Sequence, residues 1–340
     1  MTSIAVVILN WNGQHYLQQF MPSVCRYSDM PGTEVIVADN GSTDNSVAWL
    51  SESFPQVRII ELFENFGFAK GYCKALEQIE ARYYLLLNSD VEVTSGWLLP
   101  LFDAMERNTS IGACMPKILS YDRKDYFEYA GASGGFIDRL GYPFCRGRIL
   151  SNIEKDEGQY DDVRNIFWAS GACMMIRSSA YYKAGGLDAE FFAHMEEIDL
   201  CWRLHRKGYT VQVIPQSQVY HVGGGTLPNN TPRKLYLNYR NNLFLLFKNL
   251  PVFQLIPVML VRMVLDGMSS MIYLFGGSTK FFYAVIRAHL AFHRRIPLLI
   301  SMRRRLKGTV HTGKFREIYP GSILREFFVK KKRQFSQLDW

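Results

Sequence analysis

The run Val35-Ile36-Val37-Ala38-Asp39-Asn40-Gly41-Ser42-Thr43-Asp44 joins an apolar, β-branched stretch to an acid and then to a turn. Such a run reads as a buried strand, and Asp-Asn-Gly ends it because these residues favour turn conformations over extended ones. Asp39 is thereby left at the carboxyl end of a strand. The arrangement recurs at Tyr83–Leu87, which runs into Asn88-Ser89-Asp90, and His221 closes another apolar run, Val211–Ile214 with Val219–Tyr220. Glu196-Glu197 with Asp199 forms a further acidic group. In an open α/β sheet the carboxyl ends of the strands line the ligand crevice. Carboxylates gathered there suit a divalent cation held against a diphosphate, with one acid left over as a base.

Outward from these runs, short apolar segments alternate with helical patterns. Strands are expected at Ile4–Leu9, Glu34–Ala38, Val57–Leu62 and Tyr83–Leu87, with helices near Tyr16–Tyr27, Asn45–Ser53 and Ala69–Glu80. That alternation predicts βαβ units and a mostly parallel sheet flanked by helices. From Ser120 to Asp162 the pattern dissolves into Gly, Tyr, Asp and Arg and reads as an irregular surface excursion. Phe167–Ile176 restores a strand-like run, and a helix is expected over Glu196–Lys207, closed by Gly208.

The chain has 340 residues, 48% hydrophobic and 21% charged, which excludes a disordered chain. Six scattered cysteines without a CxxC pair argue against a disulfide framework or a zinc site and for a reducing compartment. The net charge of +8 is concentrated from Lys280 to Arg333, where Arg287, Arg294, Arg295, Arg303–Arg305, Lys307, Lys314, Arg316, Arg325 and Lys330–Arg333 are opposed only by Glu317 and Glu326. Leu250–Gly276 and Phe281–Leu299 are apolar yet interrupted by Arg262, Asp266, Arg287 and Arg294, poor material for a spanning helix and better suited to amphipathic helices on an anionic membrane surface. A helical subdomain packed on the rest of the protein explains them equally well. The expected division is 1–230 for an α/β domain and 231–340 for a helical, apolar and basic region.

Each polar motif has a plain structural reading beside a chemical one. Ser42 and Asp44 read as turn and cap chemistry, whereas Asp39 at a strand end is placed to accept from a base N–H or a ribose hydroxyl. Asn65-Phe66-Gly67-Phe68-Ala69-Lys70-Gly71 would let the backbone approach a ligand closely. Asp90 is the expected cation ligand, with Glu92 a solvated neighbour. Asp199 pairs with Arg203 at i,i+4, and Glu196 and Glu197 at a helix start are expected to stay ionised, as a base must. A neutral His221 is a candidate ligand.

Taken in order, these segments resemble the family 2 glycosyltransferases of GT-A fold, in their rhamnosyltransferase-like bacterial branch, over about two-thirds of the chain. Val6–Asn12 is similar to the opening strand and nucleotide-contacting loop, placing Asn10 and Asn12 near the donor. Val37–Asp44 resembles the family's VDNxSxD segment, which passes nucleoside binding to Asp39. Asn65–Gly71 resembles the loop beside the donor, with Asn65, Gly67 and Lys70. Leu87–Asp90 stands where the family binds metal and diphosphate, with Asn88 in place of the usual first Asp. Phe191–Cys201 resembles the FF…EDxDLC element, so the resemblance makes Glu197 the catalytic base beside Glu196. His221 falls where some relatives supply a metal ligand, Trp168 and Gly171 fall in the sugar or acceptor pocket, and Arg240-Asn241-Asn242 resembles a later RN element without an assigned chemistry.

The resemblance implies an inverting transfer of a single sugar from a nucleotide-diphosphate donor, with Mg²⁺ or Mn²⁺, to a lipid-linked glycan acceptor in cell-surface polysaccharide synthesis. The absence of a Q-x-x-R-W sequence after the acidic pair disfavours a processive synthase. The expected location is the cytoplasmic face of the inner or plasma membrane, peripherally attached, or the cytoplasm. A nucleotidyltransferase is rejected because Asn10-Trp11-Asn12-Gly13 is not a basic glycine-rich loop, and nucleic-acid binding because the basic residues lie among apolar runs. A non-catalytic nucleotide-sugar-binding scaffold is the remaining alternative.

Overall fold

The computed structural model describes residues 2–223, 230–306 and 315–340, so Lys307 and Lys314 of the sequence analysis lie outside the described residues. The first half lays down β1 (Thr2–Asn10), α1 (Gln14–Tyr27), β2 (Thr33–Asp39), α2 (Ser46–Ser53), β3 (Arg58–Glu61), α3 (Gly67–Leu76) and β4 (Ala81–Asn88). Then follow β5 (Val91–Val93), α4 (Leu98–Arg107) and β6 (Ile111–Ser120). After a second, smaller sheet come β12 (Cys173–Arg177), α5 (Ser178–Ala184), α6 (Glu196–Arg206) and β13 (Thr210–His221). The main sheet has the order β11-β13-β6-β12-β4-β1-β2-β3, where β11 is Arg164–Asn165 and β5 pairs with β13. Pairs β1–β2, β1–β4, β2–β3 and β6–β13 are parallel, while β12 runs antiparallel between β4 and β6. Ile4 to Val7 of β1 and Leu85 to Leu87 of β4 are fully buried, as strands covered on both faces must be. The architecture is the expected α/β layer, and α4 and β6 go beyond the sequence expectation.

The 120–162 stretch departs from the sequence reading. Instead of crossing the surface irregularly, it forms a small sheet from β7 (Gly135–Asp138), β8 (Pro143–Cys145), β9 (Arg148–Ile149) and β10 (Asn152–Ile153), with Phe127, Phe136, Phe144 and Ile149 buried. Its strands are two to four residues long, too short to show a period-2 pattern. Phe167–Ala172 also fails to continue into a strand, because its backbone turns to Gly135: Phe167 N–H donates to Gly135 O and Gly135 N–H to Trp168 O.

Beyond residue 230 lie α7 (Pro232–Asn249), α8 (Val252–Phe275) and α9 (Thr279–Arg305). The chain then crosses back over the expected boundary. β14 (Ile318–Tyr319) adds to β7 in parallel, the Ile323 N–H donates to the Asp138 carboxylate at 2.9 Å, and Phe335 and Trp340 pack on Phe136 and Phe144. By length and composition α8 is able to cross a membrane, although only 22% of its apolar window is buried in the protein.

Candidate active site

The β1 and β2 ends are stitched into one polar floor. Asn10 is fully buried, and its Nδ2 donates to Asp39 Oδ1 at 3.0 Å and to Ser42 Oγ at 3.1 Å. Asp39 Oδ2 accepts the Ser42 N–H at 2.9 Å, fixing the carboxylate at the strand end. Asn12, at φ +51°, accepts the Thr43 N–H on Oδ1 at 2.7 Å, and Asp44 accepts N–H groups from Gln14 and Ser46. The third loop joins through Asn40, whose Nδ2 reaches Asn65 Oδ1 and Gly67 O and whose Oδ1 accepts the Phe66 N–H. Gly67 has φ +75°, and a Cβ there would lie 2.5 Å from the Phe192 ring, so the glycine makes room for the loop that carries the acidic pair. Lys70 is exposed and lies over the Phe66 ring.

The second cluster sits at the ends of β4 and β13. His221 Nε2 is 3.1 Å from Asp90 Oδ1 and 3.4 Å from Asn88 Nδ2. His221 and Asp90 are both buried. The other face of the imidazole meets Glu128, whose Oε1 is 3.5 Å from Nδ1. Glu128 comes from the small-sheet excursion and carried no motif. Burial alone would lower the His221 pKa, but Asp90 and Glu128 outweigh it and raise it to about 10. Glu92 is solvated and pairs with Lys124 at 2.6 Å.

Among the described residues no three His, Cys, Asp or Glu side chains are grouped to enclose a metal ion. That fits a hard cation taking one or two protein ligands and completing its shell with phosphate oxygens and water. Asp90 Oδ1 and His221 Nε2 face one another at a spacing where a cation would replace their shared proton, and the carboxylate behind Nδ1 completes a carboxylate–histidine–metal arrangement. The donor set therefore fits Mg²⁺ or Mn²⁺.

The acidic pair opens α6. Asn88 N–H donates to Ala172 O at 2.9 Å, and a Cβ on the adjoining Gly171 would lie 3.9 Å from that of Glu197 and 3.2 Å from Phe68. Glu197 thus stands beside the carboxyl end of β4, with Gly171 allowing the Phe68 ring and the Glu197 stem to approach the turn closely. One carboxyl oxygen of Glu196 and one of Glu197 are enclosed without a hydrogen-bond partner among the described residues. The expectation that both acids stay ionised fails here. Burial, and then the Glu197 charge, push Glu196 well above the usual carboxylate range, while burial raises Glu197 to about 7 against the backbone N–H groups that favour its charge. Desolvation outweighs the helix terminus. His194, with Nε2 likewise enclosed, is driven down to about 4 by burial and then by Lys234.

What holds this loop is the RN element. Phe192, His194 and Met195 all have positive φ (+64°, +70° and +72°), unusual for side-chain-bearing residues. Asn241 Nδ2 reaches Phe191 O, Ala193 O and His194 O at 2.7–2.8 Å, and Arg240 Nη2 reaches Glu190 O and Phe191 O. Asn241→Ala removes this clamp and leaves buried carbonyls unpaired, which costs about 1–3 kcal/mol each. The expected result is a loss of kcat larger than the change in donor KM, read by steady-state kinetics on the purified variant.

Trp168 and Asp199 take structural places. Trp168 is 3% exposed, lies against Gly135 and donates its indole N–H to Phe136 O at 3.0 Å, which corrects its assignment to the sugar pocket: the aromatic is consumed in joining the two sheets. Asp199 is fully buried and holds Arg203, Lys248 and Asn249. A cavity of about 1570 Å³ lies at the other end of α6, near Arg206 and Arg303, and none of these site residues lines it.

The family model described as Glycosyl transferase family 2 matches residues 5–185, a span that contains Asp39 and Asp90 and stops short of Glu197 and His221. The chain is 27% identical over 233 residues to the N-acetylglucosaminyl-diphospho-decaprenol L-rhamnosyltransferase of Mycobacterium tuberculosis, covering 64% of this chain and 75% of the relative. The structure is similar to S. aureus TarS 1-349 in complex with UDP-GlcNAc, at a TM-score of 0.56 and 14% identity, covering 89% of this chain and 88% of that one. It is also similar to GalNAc-T7 with UDP, GalNAc and Mn²⁺, at a TM-score of 0.55 and 13% identity, covering 73% of this chain and 48% of that one. These likenesses establish the GT-A fold.

Proposed function

The chain belongs to glycosyl transferase family 2, and from that membership we propose that it is an inverting, metal-assisted glycosyltransferase adding a single sugar to a lipid-linked glycan in cell-surface polysaccharide synthesis. The observation that carries the reading is Glu197: an enclosed carboxyl oxygen without a partner among the described residues, on a side chain whose stem lies against Gly171 next to the end of the strand that leads to Asp90.

Asp39, anchored by Asn10 and Ser42, accepts from the nucleoside, and Asn12 shapes the loop over it. Asn65 and Gly67 set the neighbouring donor loop, and Asn88 lies next to the diphosphate with Asp90 and His221. Asp90 and His221 would hold a divalent cation, which when bound would supply Lewis-acid stabilisation of the leaving diphosphate. Glu197 takes the proton from the acceptor hydroxyl as that oxygen attacks the anomeric carbon from the face opposite the leaving group. Burial and then the Glu197 charge push the neighbouring Glu196 well above the usual carboxylate range, which disfavours a second negative charge beside the base. Attack from the opposite face inverts the anomeric centre, so no covalent intermediate is needed.

The named activity of the M. tuberculosis relative supports a deoxyhexose or hexose donor and an acceptor carried on a polyprenyl diphosphate. Such an acceptor places the enzyme at the cytoplasmic face of a membrane, on an anionic surface that the basic C-terminal helices favour.

The test is a panel of UDP-, dTDP- and GDP-sugars with a polyprenyl-diphosphate-linked acceptor, assayed with Mn²⁺, with Mg²⁺ and with chelator. Turnover of one donor, abolished by chelator and restored by metal, is the expected result. Nucleotide binding without any turnover points to the non-catalytic scaffold and overturns the proposal.

A further inference from the structure

Helix α8 is amphipathic in an inverted sense. Its charged and polar residues Arg262, Asp266 and Ser270 are buried, at four-residue spacing on one side. Arg262 donates to Leu140 O at 3.0 Å and to Asn242 Oδ1, and lies 3.9 Å from the Tyr142 ring centre. Asp266 takes Arg262 at 3.3 Å and His289 of α9 at 3.2 Å, and Ser269 bonds the Tyr239 hydroxyl of α7. The helix is therefore held along its length by α7, α9 and the turn after β7. On the opposite side Ile256, Leu260, Val264, Met268, Ile272 and Phe275 are 59–82% exposed. A continuous apolar stripe on this scale is far outside what a solvent-facing helix carries singly.

Charge identifies what covers it. Asp266 is the single acid between residues 252 and 305, and it is buried and paired, so the exposed face of the α8–α9 hairpin carries no negative charge. Lys280, Arg287 and Arg294 recur at seven-residue intervals on α9, all exposed, among the exposed Tyr283, Ile286 and Leu290. An apolar stripe fringed by cations complements the acyl region and the anionic headgroups of one bilayer leaflet.

We propose that α8 lies flat in a single leaflet of an anionic membrane with its Ile256–Phe275 stripe inward, and does not cross the bilayer. A spanning orientation would strip Arg262 and Asp266 from Leu140, Asn242 and His289 and set the pair in hydrocarbon. Tyr239 lies opposite Ser269 and Asn242 opposite Arg262, so α8 runs antiparallel to α7, and its Phe275 end returns toward the end of α7 that adjoins the active site. This deepens the membrane reading given above.

The test uses the full-length protein with vesicles of phosphatidylcholine alone or with phosphatidylglycerol. Flotation with the anionic vesicles, weakened by salt and by the combined Lys280→Gln, Arg287→Gln and Arg294→Gln substitutions, is expected. The Leu260→Glu/Val264→Glu variant is expected to lose about a hundred-fold in vesicle affinity while still turning over donor in solution. Ile256→Trp, Val264→Trp and Ile272→Trp, read against the parent with lipids brominated at shallow or deep positions, settle the orientation. Equal shallow quenching at all three supports the flat helix. Deep quenching at 264 with shallow quenching at both ends means a spanning helix and overturns it. Failure to float while donor turnover persists also overturns it and leaves the transferase reading standing. Flotation without donor turnover does the reverse. A stable dimer in light scattering that the Leu260→Glu/Val264→Glu variant dissociates, with no vesicle binding, assigns the stripe to a second copy and overturns the proposal.

Discussion

Glu197→Gln is expected to lower the transfer rate by about 10²–10⁴-fold with little change in donor affinity, the range associated with loss of a positioned general base. Gln keeps the size and hydrogen-bonding shape of the side chain but has no basic oxygen. The wild-type enzyme carries a linked signature. With Glu197 raised to about 7 by burial, kcat/KM is expected to climb as pH rises through 7, because the base acts only when deprotonated. Of the neighbouring acids, Asp199 is held down against its burial by Arg203 and Lys248, whereas burial and then the Glu197 charge push Glu196 well above the usual carboxylate range. Folding provides the control. An acid whose pKa is higher folded than unfolded loses stability as pH rises between the two values, so at neutral pH the Gln variant is expected to unfold no more easily than wild type. A variant that unfolds earlier, or that keeps a rate within ten-fold, would falsify the assignment of Glu197 as the base.

Asp199→Asn is expected to cost about 3–5 kcal/mol of stability, the largest structural effect of any single change around the site. The side chain is fully buried, with Arg203 Nη2 at 2.8 Å, Lys248 Nζ at 2.9 Å and Asn249 Nδ2 at 2.8 Å. Burial works to raise its pKa, yet Arg203 and then Lys248 bring it down to about 2. A depressed carboxylate stabilises the fold at pH values above its unfolded pKa, near 4, and that share is lost as pH falls toward 2. Neutralising it leaves Lys248 with Asp188 and buried Arg203 with the Ala184 carbonyl in place of a carboxylate. Urea unfolding at pH 7, monitored by circular dichroism, reads the loss. An unchanged midpoint would show that the cluster is dispensable.

Strand-end acids were legible because their signal is local: an apolar run, an acid and a turn residue lie within ten positions. Asp39 and Asp90 could be located this way, and the pairing of Asp199 with Arg203 follows from helical spacing. Glu128 and Asn241 carry no such signal. Their partners, His221 and the carbonyls of 191–194, lie far away in the chain, and only the closed fold brings them together. The ionisation of Glu196 and Glu197 was misread for a related reason. Helix position is written in the sequence, whereas the depth of burial that decides the pKa depends on what α7 and the 167–172 turn pack against. Trp168 shows the converse: an aromatic beside small residues suggests a pocket wall, and the neighbouring Gly135 turns it into a sheet-to-sheet joint.

The tail strand β14 sets an order of biogenesis. The first half of the sheet, β1 to β4 with α1 to α3, is built from neighbours in sequence and can begin to assemble on a nascent chain once residue 88 has left the ribosome. The small sheet, in contrast, gains its edge strand and the Phe335–Trp340 packing only after residues 318–340 have been made, and Glu128 reaches His221 from the stretch that leads into that sheet. A newly synthesised polypeptide therefore holds the Asp39 end of the sheet well before the contacts that close the small sheet are available, and those distant contacts are the ones expected to form last.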